Sequence, residues 1–550
     1  MQNTGIKKYA IYTIPLLFLL YSAPGALDYV FHFPDEKYYT DSVLQMMDKG
    51  DYFTPYQADG SPRFLKPILT YWVLILSYKI LGVSTFSSRL FFWLAGAVLV
   101  LVVYLMTRSL IKNRKTAFTA AFITAANPLV IISASRSIPD ILLVLFLTIS
   151  AWGFLEIMIK ENRRKRYYWM AYFGAALAFE TKGIPAIVFV GVSMLYLIWN
   201  PWNRKKIKCL FEPYSMIIAI LVAISWFIIM YLKHGSVYLD SFFADQVGDR
   251  VSSKSVQTFK NLGLGIITLL TYFIPWIFII FSKPGELKKY IQTSDKQKKS
   301  IFGFIVTWVI LIILMSSAVF KFYDRYILPV IPLISLYFAY IISGEGITRF
   351  KKSILSILIA INVILLVVNI LYSVFILTDW VLITGILIAL IILLCWEWGV
   401  FKNISSEILI ANGVFLLYFS VFVLLYPLLM PNPGEQMVNA LTEHGMTKTD
   451  NIYVYGNIRA ASNIRIHCHN KWNVISMDTV FVLPNNANHF LVFNKKEQNK
   501  LDLNNYDIFK GSEEWMRVPV SKFPGFLKET VEKIKNNGIH YLIARPKKNK

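Results

Sequence analysis

Acid is scarce in this sequence: 33 Asp and Glu among 550 residues, against 56 Lys and Arg, for a formal net charge of +23. Charged residues of both signs reach only 16%, while hydrophobic residues make up 56% and aromatics 15%. A soluble globular chain carries about a quarter charged residues, so the deficit excludes that class. Cysteine is nearly missing too, and Cys209, Cys395 and Cys468 fall in segments of different character, which excludes an intrachain disulfide framework. His467, Cys468 and His469 stand in a row. Neighbours on an extended chain alternate faces and no second ligand pair follows, so the spacing argues against a metal centre there.

Long apolar runs are what the sequence has instead. They lie near 9–27, 87–107, 116–133, 138–159, 167–180, 183–200, 213–232, 261–282, 301–319, 323–342, 353–372, 379–396 and 406–429. The expectation is about thirteen transmembrane helices of roughly twenty residues each. The first run follows Lys7 and Lys8 and ends in small residues, as a signal peptide does. Its length and the many spans behind it point to an uncleaved first helix. The segment KPILTYWVLILSYKIL, 66–81, is too short and too close to charge for a span, and reads as an amphipathic helix at the interface.

Basic residues gather in loops of one parity, as in Arg108–Lys115, Lys160–Arg166, Arg204–Lys208 and Lys283–Lys299. Such loops favour the cytoplasm, which places the N-terminus inside and makes much of the positive charge a topological signal in contact with anionic lipid. Nucleic acid is not an expected partner. An odd number of crossings leaves residues 430–550 outside. There the apolar runs shrink to strand length in NIYVYGN, NVISM, HFLVF and HYLIARP, and KETVEKIKNNG reads as a helix with a glycine stop. The fold class is therefore an α-helical polytopic membrane protein over 1–429, whose outer loop 28–86 carries interfacial helices. A small periplasmic α/β domain over 430–550 follows it.

With this topology the ionisable groups converge on one leaflet: Asp35 and Glu36, Arg63 and Lys66, Asp140, Glu180 and Lys182, Asp249 and Arg250, and Lys321, Asp324, Arg325 and Tyr326. Short loops press these charges against the hydrocarbon edge, where an ion is costly unless it is paired or functional. Cations suited to a phosphate and a carboxylate suited to a proton make a reaction site. A transporter of a lipid-linked sugar is a competing class, but no internal repeat is apparent and the helix interiors carry few charges. A noncatalytic envelope scaffold is a third reading, and it leaves the loop charges unexplained.

Asp35-Glu36 after the first helix, KP-x-L-x-YW at 66–72, SR-x-x-PD at 135–140, TKG at 181–183 and K-x-x-x-RYILPVIP at 321–332 occur in this order along the chain. The pattern resembles the lipid-linked-sugar glycosyltransferases of type C fold, namely the protein O-mannosyltransferases and especially the bacterial aminoarabinose transferases that modify lipid A. The resemblance implies a sugar donor on undecaprenyl phosphate and inverting transfer at the periplasmic face of the inner membrane. The acceptor it implies is lipid A, a protein or another glycan. It makes Asp35 the principal catalytic carboxylate with Glu36 beside it, and Asp140 the acid of a second motif. Lys66, Arg250 and Tyr326 become ligands of the donor phosphate, with Lys321 as a companion and Tyr39, Lys182 and Arg325 as further site residues. No cofactor is firmly implied. The acid before the KP lysine and the histidine near the loop arginine, a pair associated with zinc in the aminoarabinose branch, are replaced here by Leu65 and Val247. That metal site is therefore not expected, and a divalent metal elsewhere is left open. The family also often has arginine three residues after the catalytic Asp, where this chain has Tyr38.

Overall fold

The structure is a computed structural model that describes residues 9–27, 34–204, 206–244, 255–282, 295–343, 349–372, 391–400 apart from 393 and 397, 405–421, 433–456, 458–477, 488–514 and 538–547. The membrane domain runs through α1 (Ala10–Leu27), α2 (Pro34–Lys49), α3 (Leu69–Leu81), α4 (Thr85–Ile111), α5 (Arg114–Ala125), α6 (Pro128–Ala134), α7 (Asp140–Met158), α8 (Lys165–Lys182) and α9 (Ile184–Trp199). It continues through α10 (Pro213–His234), α11 (Ser236–Phe243), α12 (Ser255–Tyr272), α13 (Trp276–Phe281), α14 (Lys296–Ser317), a 3-10 segment Asp324–Val330, α15 (Ile331–Ile342), α16 (Arg349–Tyr372) and α17 (Ser406–Ser420).

Among the described residues six helices are long and apolar enough to cross a bilayer, or seven if the bent pair α5–α6 counts as one span. Other expected crossings form shorter apolar helices, such as α9 and α17, and the run near 379–396 lies largely outside the described residues. The 62° bend between α5 and α6 falls at Asn127-Pro128. Proline removes a backbone donor there, and the Asn127 side chain caps the new helix by accepting from the Leu129 N–H at 3.0 Å.

Helices α7 and α8 form an antiparallel hairpin with a backbone-to-backbone seam. A Cβ on Gly153 would lie 2.5 Å from the Ala171 nitrogen, and one on Gly174 would lie 3.0 Å from the Phe146 carbonyl oxygen. Small residues permit this approach, and where lipid replaces water close packing supplies much of the attraction between helices. The Ser150 hydroxyl donates across the seam to the Ala171 carbonyl at 2.7 Å. The hairpin thereby brings Asp140, the first residue of α7, level with Lys182, the last residue of α8.

The segment between α1 and α4 is built on α2. Pro34 opens it and Asp35 and Glu36 occupy its first turn, where acid complements the partial positive charge of a helix N-terminus. Glu36 is fully buried and meets Arg89 of α4 in a two-pronged ion pair, both contacts at 3.0 Å, with Arg136 at 3.6 Å. The Ser137 backbone N–H adds a third donor at 3.0 Å. Burial alone would push the Glu36 carboxyl up, yet Arg89 and Arg136 together hold it below the ordinary carboxylate range. One carboxylate thus ties α2 to α4 and to the loop leading into α7.

Residues 433–547 of the C-terminal unit form α18 (Pro433–Glu443), β1 (Asn451–Tyr455), α19 (Ile458–His467), β2 (Asn473–Met477), β3 (His489–Asn494), β4 (Tyr506–Glu514) and β5 (Ile539–Pro546). The sheet order is β2-β1-β3-β5-β4, with β1, β2 and β3 parallel and β5 antiparallel to both its neighbours. All four strand-length runs form strands, and the expected helix over 528–538 lies outside the described residues except for Gly538. Helix α19 faces two ways. Ala460, Ala461 and Ile464 join the sheet's own core, whereas Ile466 inserts into the hydrophobic cluster of the membrane domain. Beside it the Ser462 hydroxyl donates to Asp41 of α2 at 2.6 Å, and Arg465 pairs with Asp48 at 3.0 Å.

Two outcomes are expected. Glu36→Gln leaves Arg89 as a buried charge without its counter-ion, which costs about 3–5 kcal/mol. Thermal unfolding of the solubilised protein should report that loss. The second concerns Asp41, whose carboxyl burial pushes up from 3.8 to about 6. The folded state holds this proton more tightly than the unfolded chain, so the Asp41 contribution to stability falls as pH rises from about 4 to about 6 and is level above. Asp41→Asn keeps an acceptor for Ser462 and should flatten that part of the profile of unfolding midpoint against pH.

Candidate active site

The first turn of α2, the loop at 63–66, the start of α7, the end of α8 and the segment 319–326 enclose a cavity of about 340 Å³. Asp35, Tyr38 and Tyr39 enter it from α2, and Arg63 and Lys66 from the loop. Asp140 and Lys182 come from the α7–α8 hairpin, and Lys321, Tyr323, Arg325 and Tyr326 from the last segment. Five cations therefore face two carboxylates.

Arg325 organises the floor. One terminal nitrogen lies 2.6 Å from Asp35 Oδ2, and its Nε lies 3.8 Å from Asp140 Oδ2. Lys182 Nζ pairs with the other oxygen of Asp140 and stands 5.7 Å from the centre of the Tyr326 ring. Asp35 keeps a partly exposed side chain, at 38%, whereas the Asp140 side chain is 4% exposed. Of the two carboxylates Asp35 is the more open to the cavity, and Asp140 is enclosed between Arg325 and Lys182.

The opposite wall is aromatic and basic. The Arg63 guanidinium lies 4.9 Å from the Tyr38 ring centre and 5.4 Å from that of Tyr39, and Tyr39 packs on Tyr71 at 5.1 Å. Burial first, and Tyr71 second, push the Tyr39 phenol well above its ordinary range, so it stays a neutral hydrogen-bonding group. Lys321 and Arg325 flank the Tyr323 ring at 5.3 and 4.9 Å.

A second cavity, also about 340 Å³, adjoins the first and shares Asp140, Lys182, Val319, Arg325 and Tyr326 with it. Its remaining lining is almost wholly apolar, including Leu143, Val144, Ile184, Phe189, Ile312, Met315 and Pro329. A charged chamber thus lies against a greasy cleft between α7, α9 and α14, with one set of side chains forming part of both walls. The arrangement suits a molecule with an anionic head and a hydrocarbon tail.

Of the residues expected from sequence, Asp35, Tyr39, Lys66, Asp140, Lys182, Lys321, Arg325 and Tyr326 line one cavity. Glu36 does not: its side chain is 0% exposed and committed to Arg89 and Arg136, so the structure gives it an anchoring place rather than one beside substrate. Arg250 lies outside the described residues, as does Val247. Tyr323 was not anticipated from the sequence, and neither were the partners of Glu36. Arg89 carried a usable signal, because a lone arginine in the first turns of an apolar 27-residue helix demands a buried counter-ion. Leu65 lines the cavity and offers no donor atom, and both cavity carboxylates are engaged by Arg325. The donor set for a metal bound at the Leu65 position does not fit.

Residues 65–229 match the family described as dolichyl-phosphate-mannose-protein mannosyltransferase. The chain is 27% identical over 351 residues to an uncharacterized protein of Aquifex aeolicus, covering 63% of this chain and 66% of that protein. It is 26% identical over 348 residues to the undecaprenyl phosphate-alpha-4-amino-4-deoxy-L-arabinose arabinosyl transferase of Pectobacterium atrosepticum, covering 62% and 61%. The match thus spans a little under two thirds of the length of these relatives. In three dimensions the chain resembles ArnT from Cupriavidus metallidurans bound to undecaprenyl phosphate, with a TM-score of 0.68 at 15% identity and 98% of each chain covered. The apo state of that protein gives 0.65. Over residues 65–229 the chain is thus similar to the mannosyltransferase family, and along nearly its whole length it shares the fold of ArnT.

Proposed function

We propose that this protein transfers a sugar from undecaprenyl phosphate to an envelope acceptor at the outer face of the inner membrane, with inversion. The observation that carries the reading is the adjacency of the two cavities, which share five lining residues. A chamber with five cations would receive the phosphate and sugar, and the apolar cleft beyond Asp140, Lys182, Arg325 and Tyr326 would receive the first isoprene units. The names of the relatives, which specify undecaprenyl phosphate and an arabinosyl group, support the same donor class.

In the proposed step an acceptor oxygen attacks the anomeric carbon from the face opposite the phosphate. The bond from that carbon to the phosphate oxygen breaks and its electron pair leaves with the phosphate. Asp35 takes the acceptor's proton, and Arg325, bonded to it in the resting site, keeps the carboxylate aimed. Lys66, Tyr326 and Lys321 would stabilise the charge that develops on the departing phosphate, with Arg250 joining them from its loop. Asp140 would act through Lys182 and Arg325, holding both in place. The loop charges support about thirteen crossings, a cytoplasmic N-terminus and a periplasmic C-terminal domain. Two acceptors fit this scheme: lipid A, after the arabinosyl relatives, and a protein hydroxyl, after the family matched over 65–229.

Purified protein supplied with undecaprenyl-phosphate sugars and an extracted envelope fraction should transfer sugar, and Asp35→Asn should abolish turnover while still binding undecaprenyl phosphate. Undiminished transfer by Asp35→Asn would remove that residue from the chemistry. Lys66→Ala should weaken binding of undecaprenyl phosphate by about tenfold or more, the cost of one charge-assisted hydrogen bond. Mass spectrometry of lipid A and of envelope glycoproteins from a deletion strain identifies the acceptor by which species loses mass.

A further inference from the structure

Among the described residues Arg63 has no carboxylate within ion-pair distance, and Asp35 acts on it only from farther off. The Arg63 side chain lines the charged cavity and the residue is 8% exposed, yet among the described residues its Nη1 is buried without a hydrogen-bond partner. The other guanidinium of the cavity, Arg325, is committed to two carboxylates. What holds Arg63 is the pair of tyrosine faces, Tyr38 at 4.9 Å and Tyr39 at 5.4 Å, together with its backbone N–H bonded to the Pro55 carbonyl at 2.7 Å. Stacking fixes the plane of a guanidinium but leaves its in-plane donors unused. Keeping such a group dehydrated is costly unless an anion completes it.

The neighbour that orients it is Tyr38, one turn along α2 from Asp35, so the guanidinium reaches from the loop onto the same helix face region that carries the Asp35 carboxylate into the cavity. We infer that Arg63 is an oxyanion-binding residue of the site, receiving a phosphate on the wall opposite the Arg325 floor. That phosphate belongs either to the polyprenyl donor or to a phosphorylated acceptor. The inference rests on the transferase reading and adds to it a ligand contact that Arg63 and Tyr38 supply jointly.

The test uses the full chain in nanodiscs and measures binding directly, without turnover. One arm titrates undecaprenyl phosphate; the other titrates bisphosphorylated and dephosphorylated lipid A into protein preloaded with undecaprenyl phosphate. If the donor is the ligand, Arg63→Tyr should raise the Kd for undecaprenyl phosphate by between about tenfold and a hundredfold, the range for a lost charge-assisted hydrogen bond. If the acceptor is the ligand, the same variant should lose affinity for bisphosphorylated lipid A and keep that for the dephosphorylated form. In either case Arg63→Lys should recover part of the loss. The exchange of Arg63→Tyr with Tyr38→Arg should recover more, because it returns a guanidinium and a phenol to the same stack. Binding that Arg63→Tyr leaves unchanged in both arms overturns the inference. So does a loss that neither Arg63→Lys nor the exchange recovers, which would mark Arg63 as packing. Wild-type protein that binds neither lipid would sink the transferase reading itself, an outcome distinct from both.

Discussion

Arg325 is the residue on which the site depends. It lies between Asp35, delivered by the first turn of α2, and Asp140, delivered by a membrane helix, and so joins two parts of the chain that are 105 residues apart. Each of these groups alone would be an ion at the edge of the hydrocarbon, and each is tolerable there because the others neutralise it. Lys182 extends the chain of pairs to a further helix. The same economy explains how a cavity with excess positive charge survives next to lipid: two of its cations are already half-satisfied by protein carboxylates, and the surplus is what a phosphate would complete.

Two adjacent acids have divergent fates. On a helix successive side chains point about 100° apart, so Asp35 enters the cavity while Glu36 turns into the protein. Glu36 meets Arg89 and Arg136 in a wholly buried cluster, and this fixes the first turn of α2 against α4 and against the loop before α7. The C-terminal unit grips the same helix farther along through Asp41 and Asp48. A helix that presents its cavity-facing carboxylate at one end is thus held on its other faces by both halves of the protein, which makes α2 a rigid support for Asp35.

Much of this was legible in the sequence because it rests on composition and period. Among the described residues, apolar runs of membrane length became helices at the expected places, and the four short runs near the C-terminus became strands. Strand β4, YDIFKGSEE, was not read, since its charges obscure the alternation expected of a half-buried edge. Helix α2 was read only as a charged outer stretch; its apolar residues Val43, Leu44 and Met46 are too few to stand out beside true spans. Within the site, the gathering of charge on one side was apparent, but the division of labour between Asp35 and Glu36 was not. Side-chain direction depends on which neighbour each acid meets, and Arg89 is 53 residues away. Arg63 was among the gathered charges, but its stacking on Tyr38 and Tyr39 was not, because no local pattern pairs a loop arginine with helix tyrosines 24 and 25 residues earlier.

The glycine seam between α7 and α8 has a consequence for how this chain can vary. Gly153 and Gly174 lock the two backbones at fixed points, and the ion pair between Asp140 and Lys182 is read out at the far end of the same hairpin. The eight residues from Gly174 to Lys182 therefore act as a ruler about 12 Å long. Inserting or deleting one residue within it would swing Lys182 by about 100° around its helix and uncouple it from Asp140. Length in this stretch is consequently fixed by geometry, and the turn at Gly183, which joins Lys182 to Ile184 of the adjoining cleft, is held to it as well.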